Sequence, residues 1–157
     1  MSFREKNAWI AVAVTLIVWG YYVLTVAGQV TARAIDGQGL FTLFLISMGI
    51  TLVLLIGINL VAARMANQSF GAPEDERERA VDRRASWWGA RLLEWMLLGL
   101  AAAAPTIIAS YARESFPDDP AGATAIILAN AILFVSVLSQ VVREAIHIVS
   151  YRLMAAE

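Results

Sequence analysis

The sequence predicts an all-α integral membrane protein, a four-helix bundle built from two transmembrane hairpins. Three observations carry that prediction. Of the 157 residues, 59% are apolar and only 16% charged, where a soluble domain has about half and a quarter. The apolar residues fall in four long blocks, with the charges collected between them. Each block reaches the roughly 20 residues that a helix needs to cross about 30 Å of hydrocarbon.

The first block has no charge from Asn7 to Ala32 and predicts a span over about 8–30. Arg4 and Lys6 precede it, and Thr25-Val26-Ala27 resembles a signal cleavage site. The apolar stretch, however, outruns a signal h-region of about 7–15 residues. Trp9, Trp19, Tyr21 and Tyr22 suit a retained helix with interfacial aromatics. The second block is charge-free from Gly37 to Ala63 and predicts a span over about 39–63. The third is charge-free from Trp95 to Ala112, with apolar character back to Trp87, giving a span over about 87–112. Pro105 follows the run Ala101–Ala104 and predicts a kink, acting as a hinge or merely curving the helix. The fourth is charge-free from Ala121 to Val142 and predicts a span over about 121–145. Its Ala121, Ala125 and Ala129 repeat every four residues, a small-residue face that allows close helix approach.

The turns between spans carry Asp with Gly or Pro, as short turns require. One is Ala34-Ile35-Asp36-Gly37-Gln38-Gly39; the other is Ser115-Phe116-Pro117-Asp118-Asp119-Pro120. A faint parallel repeat links the halves: Thr31-Ala32-Arg33 matches Tyr111-Ala112-Arg113, and Arg64 matches Arg143. Any two hairpins obeying the positive-inside rule share much of this, so the repeat is read as a by-product of topology.

Orientation follows from the basic residues. Arg4 and Lys6, then Arg64, Arg77, Arg79, Arg83 and Arg84, then Arg143 and Arg152 all fall on one side of a four-span chain. The opposite turns hold Arg33 and Arg113 among Asp36, Glu114, Asp118 and Asp119. Both termini are therefore expected in the cytoplasm, in the bacterial inner (cytoplasmic) membrane.

The stretch 64–86 reads as a charged cytoplasmic connector. Pro73 suits a first helical turn, Glu74, Asp75, Glu76 and Glu78 suit the positive helix start, and Arg77, Arg79, Arg83 and Arg84 follow. Asp75 reaches Arg79 and Arg79 reaches Asp82 at helical spacing. The helix is expected to run on into the third span. Arg77, Arg79, Arg83, Arg84, Trp87 and Trp88 would then meet lipid headgroups.

The run Asp75-Glu76-Arg77-Glu78-Arg79-Ala80-Val81-Asp82-Arg83-Arg84-Ala85 resembles a motif in a prokaryotic family of small predicted membrane proteins of unknown function. There an Asp-Glu-Arg run and an Arg- and Ala-rich helix precede the third of four spans. The resemblance implies a four-helix membrane protein and brings no activity with it.

Two clusters are candidates for chemistry. Arg91 and Glu94 share a helical face just inside the third block, with Trp87 one turn earlier to stack on Arg91. Ionisable groups at membrane depth are costly and usually face a bundle interior, yet these lie near the edge, where a plain interfacial ion pair suffices. Gln140, Glu144 and His147 share a face at the end of the fourth span, beside Arg143. With Glu94 they form a candidate polar site at the inner mouth, able to exchange protons near neutral pH. The plainer reading is a solvated helix end, where the dipole favours His147.

Several functions are excluded or weakened. Without cysteine there are no disulfides or thiolate sites, and one histidine makes a poor metal or haem signal. Neither metal nor cofactor is expected. A net charge of -1 gives no case for nucleic acid. Deep polar groups are only Ser, Thr and Asn, among them Asn59 and Asn130, read as interhelical glue. No acid or base sits at mid-bilayer, which argues against a proton-coupled pump.

The expected role is non-catalytic: an accessory or regulatory subunit, or a homo-oligomer, with the connector open to a cytoplasmic protein. The alternative is a small transporter or channel using Glu94, Glu144 and His147. A membrane enzyme acting on lipid or quinone, with Glu94 or His147 as base, ranks last, because nothing is placed to activate a nucleophile.

Overall fold

The computed structural model describes residues 3–65 and 76–154. Within them, side chains at 3–7, 59, 62, 63, 65, 77, 78 and 154 fall outside the description. The connector residues Pro73, Glu74 and Asp75, and the side chains of Arg4, Lys6, Asn59, Arg77 and Glu78, therefore lie outside the described residues.

Everything regular among the described residues is helical. The elements are α1 (Phe3–Thr31), α2 (Gly37–Met65), α3 (Glu76–Ala103), a π-helical turn (Ala104–Ile108), α4 (Ala109–Ser115) and α5 (Pro120–Met154). They form four long rods, because α3, the π turn and α4 follow one another without a break. The charged start at Glu76 thus continues directly into the third apolar block. All four rods are long and apolar enough to cross a membrane.

All four rods outrun the spans read from the sequence, the fourth by the most at its C-terminal end. Arg64 and Met65 belong to α2 rather than to the connector. The fourth helix does not stop near residue 145 but runs to Met154. Residues 146–154 contain no Gly or Pro, and they have something to pack on: Ile148 is buried, and Arg152 stacks 5.6 Å from the Trp9 ring of α1.

Each helix end has a physical cause. α1 stops at Arg33, which adopts φ 54. The Arg33 N–H donates to Val30 O (3.2 Å) and the Ala34 N–H to Gln29 O (3.0 Å). That is the left-handed Schellman ending, at a position usually taken by glycine. Asp36 then starts α2 by accepting from the Gly39 N–H at 3.0 Å. Asp119 starts α5 in the same way, accepting from Gly122 at 2.9 Å. Both return helices therefore open on Asp-x-x-Gly, with the aspartate as N-cap. A Cβ on Gly39 or Gly122 would overlap that cap's carboxylate.

Pro105 does what its chemistry demands. It offers no N–H to the helix ladder and its ring crowds the preceding turn. The chain widens into the π turn there, and the Thr106 hydroxyl points back at Ala102 O (3.4 Å) and Ala103 O (3.5 Å).

The helices pack as a row, α2 on α1, α1 on α5, and α5 on α3 and α4. No contact of comparable extent joins α2 to α3 among the described residues, so the row is not closed into a ring. Small residues let α3 and α5 approach: Ala85 is fully buried, and Gly89 sits where a Cβ would lie 3.3 Å from the Arg143 Cβ and 3.5 Å from Ser139 O. The α1–α2 contact is aromatic. Trp19, Tyr22 and Phe44 form a cluster with ring centroids 5.8–6.4 Å apart.

The turn chemistry predicts mutational signs. Arg33→Gly should stabilise the protein by about 1 kcal/mol, by removing the left-handed strain of a side-chain-bearing residue. Asp36→Ala and Asp119→Ala should each cost about 1 kcal/mol as cap losses. Thermal unfolding of the detergent-solubilised variants, followed by circular dichroism, reads both signs.

Candidate functional site

The polar cluster around Glu144 and His147 is built on two helices. On α5, the residues at 140, 144 and 147 share a face because they fall one helical turn apart. Glu144 is buried and collects donors. Its Oε1 accepts from Gln140 Nε2 (3.2 Å) and from Arg143 Nε (3.3 Å) and Nη2 (3.0 Å). Its Oε2 lies 3.3 Å from His147 Nδ1. The other ring nitrogen, Nε2, lies 3.4 Å from Asp82 Oδ1 on α3. That is ion-pair range but not hydrogen-bond geometry, and Nε2 is otherwise buried without a partner. The imidazole is thus held between a carboxylate of its own helix and one from α3.

Two expectations are corrected here. The cluster is not a solvated helix end, because α5 continues to Met154 and lies against α3, leaving the Glu144 side chain 11% and the His147 side chain 13% exposed. Nor does Glu94 join it. Ala85 and Gly89 mark the face of α3 turned to α5. Arg91, two residues past Gly89, lies about 200° around the helix, and Glu94, five past, about 140°. Both therefore stand on the far side. Arg91 Nη1 donates to Glu94 Oε2 at 2.6 Å, with both side chains about half exposed. The guanidinium also lies over the Trp87 ring at 5.6 Å.

Asp82 is the contact that helical spacing alone does not show: it is half exposed, at i+3 from Arg79, yet it shares the face Asp82, Ala85, Gly89 and so comes beside His147. The signal was present: two small residues at i+3 and i+7 mark a helix-packing face. Arg79, Arg83, Arg84, Trp87 and Trp88 are exposed, and the two indoles meet edge-on at 4.8 Å.

A second feature lies toward the other end. A cavity of ≈ 460 Å³ opens between α2 and α5, with α1 as its floor. Phe41, Phe44, Ile126 and Leu133 give it apolar walls, and Tyr22, Asn130 and Ser136 its polar edge. The Tyr22 hydroxyl donates to Asn130 Oδ1 (2.5 Å), and Asn130 Nδ2 donates to Ile126 O (2.8 Å). The bond joins α1 to α5, the glue role expected of Asn130. Tyr22 was read only as an interfacial aromatic, although a tyrosine well inside an apolar helix needs a hydroxyl partner.

Among the described residues, no group of three or more His, Cys, Asp or Glu is placed to hold a metal ion. No family model matches the chain, and neither a curated protein nor a solved structure matches it.

Burial separates the two acids experimentally. Glu144→Ala should cost about 1–2 kcal/mol, since it strips Arg143 and His147 of a shared acceptor in a half-dry site. Glu94→Ala should stay within about 0.5 kcal/mol, as an exposed ion pair does. Thermal unfolding in detergent compares them, and equal costs would contradict the burial difference.

Proposed function

We propose that this chain is a four-span protein of the bacterial inner membrane that works without catalysis, as an accessory or regulatory subunit or as one protomer of a homo-oligomer. Two transmembrane hairpins, 3–65 and 76–154, would place both termini and the charged connector in the cytoplasm. The distribution of Arg and Lys supports that orientation. The prokaryotic four-span family with an Asp-Glu-Arg motif remains the proposed kinship, on the layout it shares.

One observation carries the subunit reading: the helices form an open row. α2 is attached mainly through α1, and a lateral cavity separates it from α5. The small-residue face Ala121, Ala125, Ala129 stands exposed along the same side. Small residues favour close helix approach in lipid, so this side suits a further membrane helix. The exposed Arg79, Arg83 and Arg84 of the connector helix suit a cytoplasmic partner or the headgroup layer.

A transporter or channel reading would need the three ionisable groups at one mouth, and Glu94 faces away from Glu144 and His147. Catalysis has even less support, with Glu144 and His147 occupied by each other and by Arg143 and Asp82.

Extraction from native membranes in mild detergent, followed by light scattering, tests the reading. More than one polypeptide per particle is expected. Ala125→Cys should also give a disulfide-linked homodimer in membranes if the partner is a second copy, since the chain has no other cysteine. A lone, monodisperse polypeptide would overturn the subunit assignment.

A further inference from the structure

The far face of α3 carries a pocket with a distinct chemistry. Trp87, Trp88, Arg91, Leu92 and Trp95 line a cavity of ≈ 430 Å³. Their spacing puts one residue or two on each successive turn, so they form one stripe of the helix. Arg91 is fixed twice, by its 2.6 Å bond to Glu94 and by the Trp87 ring beneath it. The guanidinium and the carboxylate are nevertheless 51% and 54% exposed. The pocket therefore offers an accessible cation and three indoles, and the carboxylate bonded to that cation, Glu94, stands accessible beside it. It lies where the charged part of α3 gives way to the apolar run that begins at Trp95.

That combination selects its ligand by charge. The bond to Glu94 uses one of the five N–H groups of Arg91, and the guanidinium fork matches a phosphate. A ligand bearing only an anion would bring it up to the Glu94 carboxylate. A ligand with a phosphate and an ammonium a few atoms apart meets both charges with their opposites, and indole faces attract ammonium groups as well. Indole rings also prefer the headgroup level of a bilayer.

We propose that this pocket binds the headgroup of a zwitterionic, amine-bearing phospholipid, with the phosphate on Arg91 and the ammonium against Glu94 and the indoles. The proposal rests on the membrane reading above, which places the pocket at the cytoplasmic interface. It deepens that reading by naming the lipid class that this face of α3 selects.

Nanodiscs containing equal amounts of phosphatidylethanolamine and phosphatidylglycerol provide the test, with native mass spectrometry reading the lipid retained by the released protein. The wild-type protein should retain the ethanolamine lipid in roughly threefold excess, the size of an exposed cation–π and ion contact. Glu94→Gln should bring the ratio toward one, while Arg91→Gln should lower retention of both lipids. The wild-type ratio requires no variant to fold. A wild-type preference for the glycerol lipid, or none, overturns this proposal and leaves the four-span reading standing. So does a preference that neither substitution changes, or a Trp88→Cys disulfide between copies, which would show a second chain on this face. Recovery of the protein in the aqueous phase with no lipid would remove both readings together.

Discussion

The organising constraint is apolar surface that the chain does not cover for itself. Ile17, Leu24, Val53 and Trp95 are all more than two-thirds exposed, and no residue of the most apolar window of the third rod is buried. In water such rods would associate without order. In hydrocarbon the same surface is neutral, and the demand moves to the backbone, where every N–H and C=O must find a partner within the chain. Helices meet that demand over their length. The places where they end are the ones that show special chemistry: the Schellman ending at Arg33, the aspartate caps at Asp36 and Asp119, and the Thr106 hydroxyl beside the gap left by Pro105.

Apolar burial contributes little between helices in lipid, so on the proposed membrane reading close approach and polar contacts take its place. α5 is the hub, packing on α1, α3 and α4. Toward one end, Tyr22 and Asn130 tie it to α1; toward the other, His147 meets Asp82 of α3 across the approach made possible by Ala85 and Gly89. The cluster around Glu144 and His147 is thus foremost an interhelical joint. The groups that face outward are different: the Arg91–Glu94 pair with its indoles, and the uncovered side of α5 along Ala121, Ala125 and Ala129. Outward groups are those that partners and lipids can reach, and the proposed roles are drawn from them.

Much of this was legible in the sequence, for a physical reason. A charge-free stretch of about 20 residues has few stable states other than a long helix, so the number and rough limits of the rods followed from spacing alone. The Asp-Gly and Asp-Pro turns were equally plain. Helix rotation was less so. Glu94, Glu144 and His147 all lie near one end of their helices, and depth along the axis says nothing of direction around it. Only the small pair Ala85 and Gly89 marks the direction of α5 from α3, and it turns Asp82 toward α5 and Glu94 away from it, although both side chains are 54% exposed. The extent of α5 was also hidden, since residues 146–154 read as a tail until α3 and α1 are seen to cover them.

Four bilayer crossings, with the charged connector in the cytoplasm, are what the proposed roles require of this chain. The absence of cysteine makes a direct measurement simple: place Ala34→Cys, Asp118→Cys or Arg84→Cys in the chain and label intact spheroplasts with a membrane-impermeant maleimide. Residues 34 and 118 should label at once, and residue 84 only after the membrane is permeabilised. Labelling of all three from the outside, or of 34 and 118 with opposite accessibility, would contradict the four crossings.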